Sequence, residues 1–365
     1  MSDLVAPAVK PPVFEPSTAL GWRDVALDGL SCYLRCVEAA LVAHGYEPDQ
    51  VVDALALPPR LIGADASGTP FGDYPGCRIE WQRVAPGGSL WDELWRIRSA
   101  GDFAVLSPDS YWWPGDELQG RLHGHHHMVL PISLDAGVLE MLDTDAPPGS
   151  FYRRRLPVDD SVLLAVNTLG RIRVRPPRNV QPLAADLGAA LAESAGAVVA
   201  DVAEFRMLAE QWEREPPTPM LARALHVLFL GDVQPPLFLF ASALGSRTDP
   251  RIVAVREAAF VAAEQAKKLG ILLTGLHRFD SAALYQICWA ELDAFTRAFA
   301  ALGAALGDAL DTAAVSSSLR PQGPRWLSAR LSGIERWGFD QSGEAAPKWL
   351  ASSYGITTSR ESRLP

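Results

Sequence analysis

The sequence is poor in cysteine, in long apolar runs and in positive charge. Four cysteines among 365 residues are too few for a disulfide framework, so they read as reduced thiols and leave thiolate chemistry open. No run of about 18 apolar residues occurs, so no membrane span is expected. The opening stretch "MSDLVAPAVKPPVFEPSTALGW" has acids and prolines where a signal peptide carries an apolar core, which makes a cytoplasmic location the expectation. A formal net charge of −10 argues against nucleic acid as the main partner. No period of 20 to 50 residues stands out, so no repeat architecture is expected.

A chain of 365 residues is long enough for two domains, each with its own core. From about residue 21 to residue 178, helices mix with short β-type runs. "FAVLSP", "HMVLPISL" and "GVLEMLD" are strand-like, and "DAG" makes a hairpin turn between the last two. Residues 179–320 are almost purely helical in pattern. "LGAALAESAGAVVADVAEFRMLAEQWERE" and "RIVAVREAAFVAAEQAKKLGILLTGLHRF" are Ala-rich and amphipathic at helical spacing. Residues 321–365, rich in Gly, Ser, Pro and Arg, are expected to form a partly ordered tail. The fold class expected is therefore α+β, with an antiparallel sheet in the first half and an all-α second half. Two basic runs, Arg153 to Arg155 and "RIRVRPPR" from Arg171 to Arg178, read as a solvated strand edge plus linker. A docking surface for an acidic partner or a phosphate is the sharper alternative.

Two constellations carry chemistry. The first is "GLSCYLRCVEAALVAHGY". Ser31 is a good N-cap, the apolar face Leu34, Val37, Leu41 follows at helical spacing, and Gly45 ends the helix as a C′ residue would. Cys32 then falls in the first turn. A thiolate there is stabilised by the helix N-terminal amides and the positive end of the dipole, and the same amides can receive an oxyanion. Cys36, one turn on, faces the core. The plain alternative for Cys32 is a small buried hydrophobe.

The second is "HGHHHMVLPISLDAGVLEMLDTD". A strand runs from Met128 to the turn at Asp135–Gly137 and back to Asp143, so the hairpin brings His127 and Asp143 together. A carboxylate there fixes the imidazole tautomer and stabilises the imidazolium. His126 is the second choice of histidine, and Asp145 the alternative acid. His125, His127 and a carboxylate could chelate zinc, but no HExxH or paired-cysteine motif accompanies them, and no metal is expected. A histidine-rich loop capping a sheet is the bland reading. A helix-opening cysteine, then a histidine opening a hairpin, then an acid closing it, is the chain order of a papain-like thiol site.

These residues resemble the butirosin biosynthesis protein H family, whose N-terminal domain is similar to cysteine-peptidase folds such as the bacteriocin-processing peptidases. The resemblance covers about residues 25 to 320, with specific motifs only in the first half. It rests on Cys32 followed by "AALVAHG" to Gly45, on "FAVLSPDSYWWPGD" with Asp109, Tyr111, Trp112 and Pro114, and on His127 to Asp143. The chain departs from the family pattern in its second helix cysteine, its crowded histidines, and "PIS" where related hairpins often carry a glycine. The resemblance selects Cys32 over Cys36 as nucleophile. It implies an acyltransferase with a Cys32–His127–Asp143 triad and no cofactor. Such an enzyme moves an acyl or aminoacyl group from an acyl carrier protein thioester to a small-molecule amine in specialised metabolism.

Asp109, Tyr111 and Trp112 are the expected substrate-binding residues. Asp109 could equally be a strand-end turn cap, and Trp112 and Trp113 could be packing. A cysteine hydrolase (peptidase, amidase or thioesterase), a cyclase acting on a carrier-bound chain, and a non-catalytic scaffold are the competing readings. In the helical half, His226 and Cys288 are expected to be core residues, as is Cys77, and His277 a helix-terminal cation.

Overall fold

The computed structural model describes residues 31–59, 71–84, 90–115, 119–120, 127–135, 137–143, 152–166, 168–245, 247–278 and 281–310, with Leu327 and Leu331. Two helices lead, α1 (Cys32–Ala43) and α2 (Pro48–Leu55). They are followed by β1 (Asp73–Tyr74), β2 (Cys77–Arg83), α3 (Leu90–Ser99), β3 (Phe103–Leu106), β4 (Val129–Asp135), β5 (Val138–Asp143), β6 (Tyr152–Pro157), α4 (Asp160–Ala165) and β7 (Thr168–Val174). The strands form one seven-stranded sheet in the order β1-β2-β7-β3-β4-β5-β6, and every neighbouring pair is antiparallel.

Period-2 alternation sends successive side chains to opposite faces of this sheet. Val105, Ile79, Leu130, Leu142 and Ile172 pack under α1 and α2. Ala104, Leu106, Val129, Leu139, Met141 and Leu169 pack against α3 and α4 on the other face. Each of these side chains larger than alanine, fully buried, contributes about 1.5–3 kcal/mol in the gross balance. Gly170 of β7 is needed where it stands. A Cβ there would lie 2.7 Å from Val105 Cγ1 and 3.0 Å from Ile79 Cγ2.

The strands expected at "FAVLSP", "HMVLPISL" and "GVLEMLD" are β3, β4 and β5. The hairpin between the last two turns through Gly137, whose φ of +77° favours glycine. One of the two basic runs is placed differently from the expected solvated edge. "TLGRIRV" is β7, interior to the sheet between β2 and β3. Its arginines pair along the sheet: Arg171 with Asp102, Arg173 with Glu80 at 3.2 Å. Arg153 to Arg155 lie on β6, which is an edge strand, opposite the other edge at β1.

From Leu187 to Ala309 every described element is helical: α5 (Leu187–Arg214), α6 (Pro219–Val227), a π-helical segment Leu228–Val233, α7 (Gln234–Ala243), α8 (Pro250–Arg278) and α9 (Ala282–Ala309). Phe205, Phe229, Phe295 and Phe299 cluster at its centre, mostly edge to face, with ring centroids of the contacting pairs 5.0–6.0 Å apart. The π-turn leads into Pro235 and Pro236, which lack the N–H that an α-turn would use. Leu239 of α7 is buried in the same core as α1 and α2, so the two halves share a packed contact. Leu221–Ala243 is long and apolar enough to cross a bilayer by composition, yet 61% of its most apolar window is buried inside the fold.

Candidate active site

The site lies at one end of the sheet's strands, where β3 ends, β4 begins and β5 ends. Ser31 caps α1: its Oγ accepts from the Leu34 N–H at 3.4 Å, and its carbonyl accepts from the Arg35 N–H at 2.9 Å. Cys32 is therefore the first helical residue. Its own N–H and that of Tyr33 precede the first intrahelical bond and point toward the N-terminal end. Gly45, with φ +93°, follows the last turn, as the sequence suggests. Cys32 is partly exposed, whereas Cys36, Cys77 and Cys288 are buried, and all four are free thiols.

The β4–β5 register places Val129 opposite Asp143. His127 stands two residues before Val129, and its ring turns back over the end of β5. His127 Nε2 lies 2.8 Å from Asp143 Oδ1. Cys32 is close enough to the imidazole to favour its protonated form by hydrogen bonding and charge. With Nε2 engaged by Asp143, Nδ1 is the nitrogen left for the thiol. Burial alone would lower the imidazole's proton affinity. The hydrogen bonds and negative charges of Asp143 and Cys32 outweigh burial and push the His127 pKa up to about 10.

Cys36 behaves differently. Its Sγ donates to the Met128 carbonyl at 3.7 Å, and burial, with the nearby Cys32 and Asp143, pushes its pKa well up. It remains a thiol, as a core-facing cysteine should. Of the other candidates, His123, His125, His126 and Asp145 lie outside the described residues. Among the described residues no three His, Cys, Asp or Glu side chains group as metal ligands would.

Asp109 sits at the foot of the loop after β3 and is 1% exposed. Its Oδ1 accepts from the Tyr111 N–H at 3.1 Å, and its carbonyl accepts from Trp112 and Trp113. This is the geometry of a turn cap. Tyr111 and Trp112 are half-buried and meet edge to face, centroids 4.8 Å apart. Trp113 is core. Trp112, half-buried, packs against the same core.

Two features near the site escaped the sequence reading. Arg154 of β6 places Nη1 3.2 Å from Asp143 Oδ2. Trp81 of β2 lies 5.7 Å from the Tyr33 ring, and both pack with Cys32 against the α1 core. Trp81 could have been found by its alternation with the inward-facing Cys77 and Ile79. Arg154 could not, because its partner is fixed only by strand order. In the helical half, His226 Nδ1 is satisfied by the Gly270 carbonyl at 2.8 Å and by Thr274. Cys288 is fully buried. The side chain of His277 lies outside the described residues.

No protein-family model matches the chain, and no curated protein matches it.

Proposed function

We propose that the protein is a papain-like thiol acyltransferase with a helical second domain. It would take an acyl or aminoacyl group from an acyl carrier protein thioester and deliver it to a small-molecule amine. The observation that carries this reading is the joining of Cys32, at the start of α1, to a buried His127–Asp143 pair 2.8 Å apart.

Cys32 thiolate attacks the thioester carbonyl, and the amides at the start of α1 receive the oxyanion. The carrier's phosphopantetheine thiolate leaves and takes the proton that His127 holds. The product is a Cys32 thioester, of nearly the same bond energy as the donor, so this step needs orientation and deprotonation more than driving force. Acylation also removes the Cys32 charge and hydrogen bond that help raise the His127 pKa. The imidazole then becomes a better match for accepting a proton from the incoming amine. Asp143 keeps the ring oriented through both steps. Amine attack forms the amide and returns Cys32 to the thiolate, with the proton on His127. In this reading Tyr111 and Trp112, half-buried in the loop after β3, are the residues that meet a sugar or amino-acid acceptor. Four free cysteines suit the reducing cytoplasm where carrier proteins work.

The test is single-turnover discharge of a carrier-loaded donor, followed with and without a panel of amines. Transfer requires amide formation to outrun release of free acid. Release of free acid at the same rate with every amine would assign the same site to a hydrolase. Internal amide or ester formation would make it a cyclase.

A further inference from the structure

Arg154 is the centre of a small, closely fitted construction behind Asp143. The flanking Arg153 and Arg155 are exposed, but the Arg154 side chain is only 22% exposed. Its Nη1 lies 3.2 Å from Asp143 Oδ2, and its Nη2 donates to the Pro114 carbonyl. The guanidinium carbon lies 6.0 Å from the centre of the Trp113 ring, a cation–π distance. The loop after β3 is shaped around it: Gly115 has φ +78°, and a Cβ there would come within 2.9 Å of Nη2.

We propose that Arg154 is a positioning residue for the acyl-transfer reaction: it holds the second oxygen of Asp143, and so the aim of the first at His127, while tying the loop that carries Tyr111 and Trp112 to the same carboxylate. This rests on the reading that Cys32, His127 and Asp143 act together. Asp143 is 1% exposed, and a carboxylate buried that deeply needs both oxygens satisfied to stay ionised. His127 serves Oδ1 and Arg154 serves Oδ2. Among the described residues, His127 before β4 and Arg154 of β6 engage the carboxylate, and Cys36 of α1 lies close enough to feel its charge. Of these only His127 and Arg154 bring positive charge. Without Arg154, Oδ2 of Asp143 loses the guanidinium that holds it, the carboxylate aims less well at His127, and the imidazolium's hold on the Cys32 thiolate weakens.

The test is the pH profile of Cys32 alkylation by iodoacetamide in the full chain, for wild type, Arg154→Gln, Arg154→Lys and His127→Ala. Arg154→Gln should move the acid limb upward by about one pH unit and lower transfer turnover about tenfold or more, with little change in KM for the thioester. Arg154→Lys, which keeps the charge and loses the fork, should recover part of the shift. If Arg154→Gln does not fold, Gly115→Ala, whose Cβ displaces Nη2, should give the same shift. A wild-type profile that differs from His127→Ala but matches Arg154→Gln, with only the melting temperature lowered, overturns this proposal alone. A wild-type profile that matches His127→Ala overturns the functional reading as well.

Discussion

His127 Nε2 and Asp143 Oδ1 sit 2.8 Å apart, sixteen residues apart in sequence, across a hairpin whose register pairs Asp143 with Val129. The consequence is chemical. Asp143 fixes which imidazole nitrogen is presented to Cys32, and it stabilises the ring's protonated form. Asp143→Asn keeps the size and removes the charge. It should lower the rate of acyl-enzyme formation by on the order of 10²–10⁴-fold, with the fold intact by circular dichroism. His127→Ala should cost at least as much.

The protonation state of His127 is directly observable. Its pKa is pushed up to about 10 from an ordinary 6.5, so the imidazolium persists through neutral pH and is lost only as pH rises through about 10. NMR of labelled histidine should show this. Blocking Cys32 as an S-methyl disulfide removes two of the causes that raise the pKa, so the same resonance should then titrate at lower pH. Asp143→Asn should act in the same direction. A His127 that titrates alike in free and blocked protein would mean that the thiol and the ring are not coupled.

Much of this site was legible in sequence because its parts are local. Ser31, the apolar spacing after Cys32 and Gly45 are helix signals within 15 residues. The His127–Asp143 pairing follows from one tight hairpin at Gly137. What was illegible depends on strand order. "TLGRIRV" looks polar enough for an edge, yet β7 lies between β2 and β3, where Glu80 on β2 and Asp102 just before β3 pair with its arginines. Arg154 reads as one of three equivalent arginines until β6 is paired with β5. Alternation alone then separates it from Arg153 and Arg155.

The two cysteines of α1 should differ sharply in reactivity. Cys36 is buried, donates to the Met128 carbonyl and has its pKa pushed well up. Cys77 is pushed up to about 12, chiefly by burial. Brief alkylation of the native protein near pH 7.5 followed by peptide mapping should therefore label Cys32 and leave Cys36 and Cys77 untouched. Cys36→Ala should keep acyl transfer within about threefold of wild type, at a modest stability loss from the small cavity.

Gly170 tests the packing beneath the site. A Cβ at this position would meet Val105, Ile79 and Trp81 at 2.7–3.2 Å. Gly170→Ala should destabilise the protein by about 1–3 kcal/mol, read as a lower denaturation midpoint with an unchanged m-value. A neutral outcome would mean that β2, β7 and β3 are spaced more widely than described.

The central claim is that Cys32 forms an acyl-enzyme. Its most direct test is intact-protein mass spectrometry after mixing wild type, Cys32→Ala and Cys36→Ala with acyl-pantetheine thioesters and with carrier-bound donors. The expected result is a single acyl adduct on wild type and Cys36→Ala that is absent from Cys32→Ala. No adduct from either donor type, with Cys32 alkylated no faster than Cys36, would contradict the account.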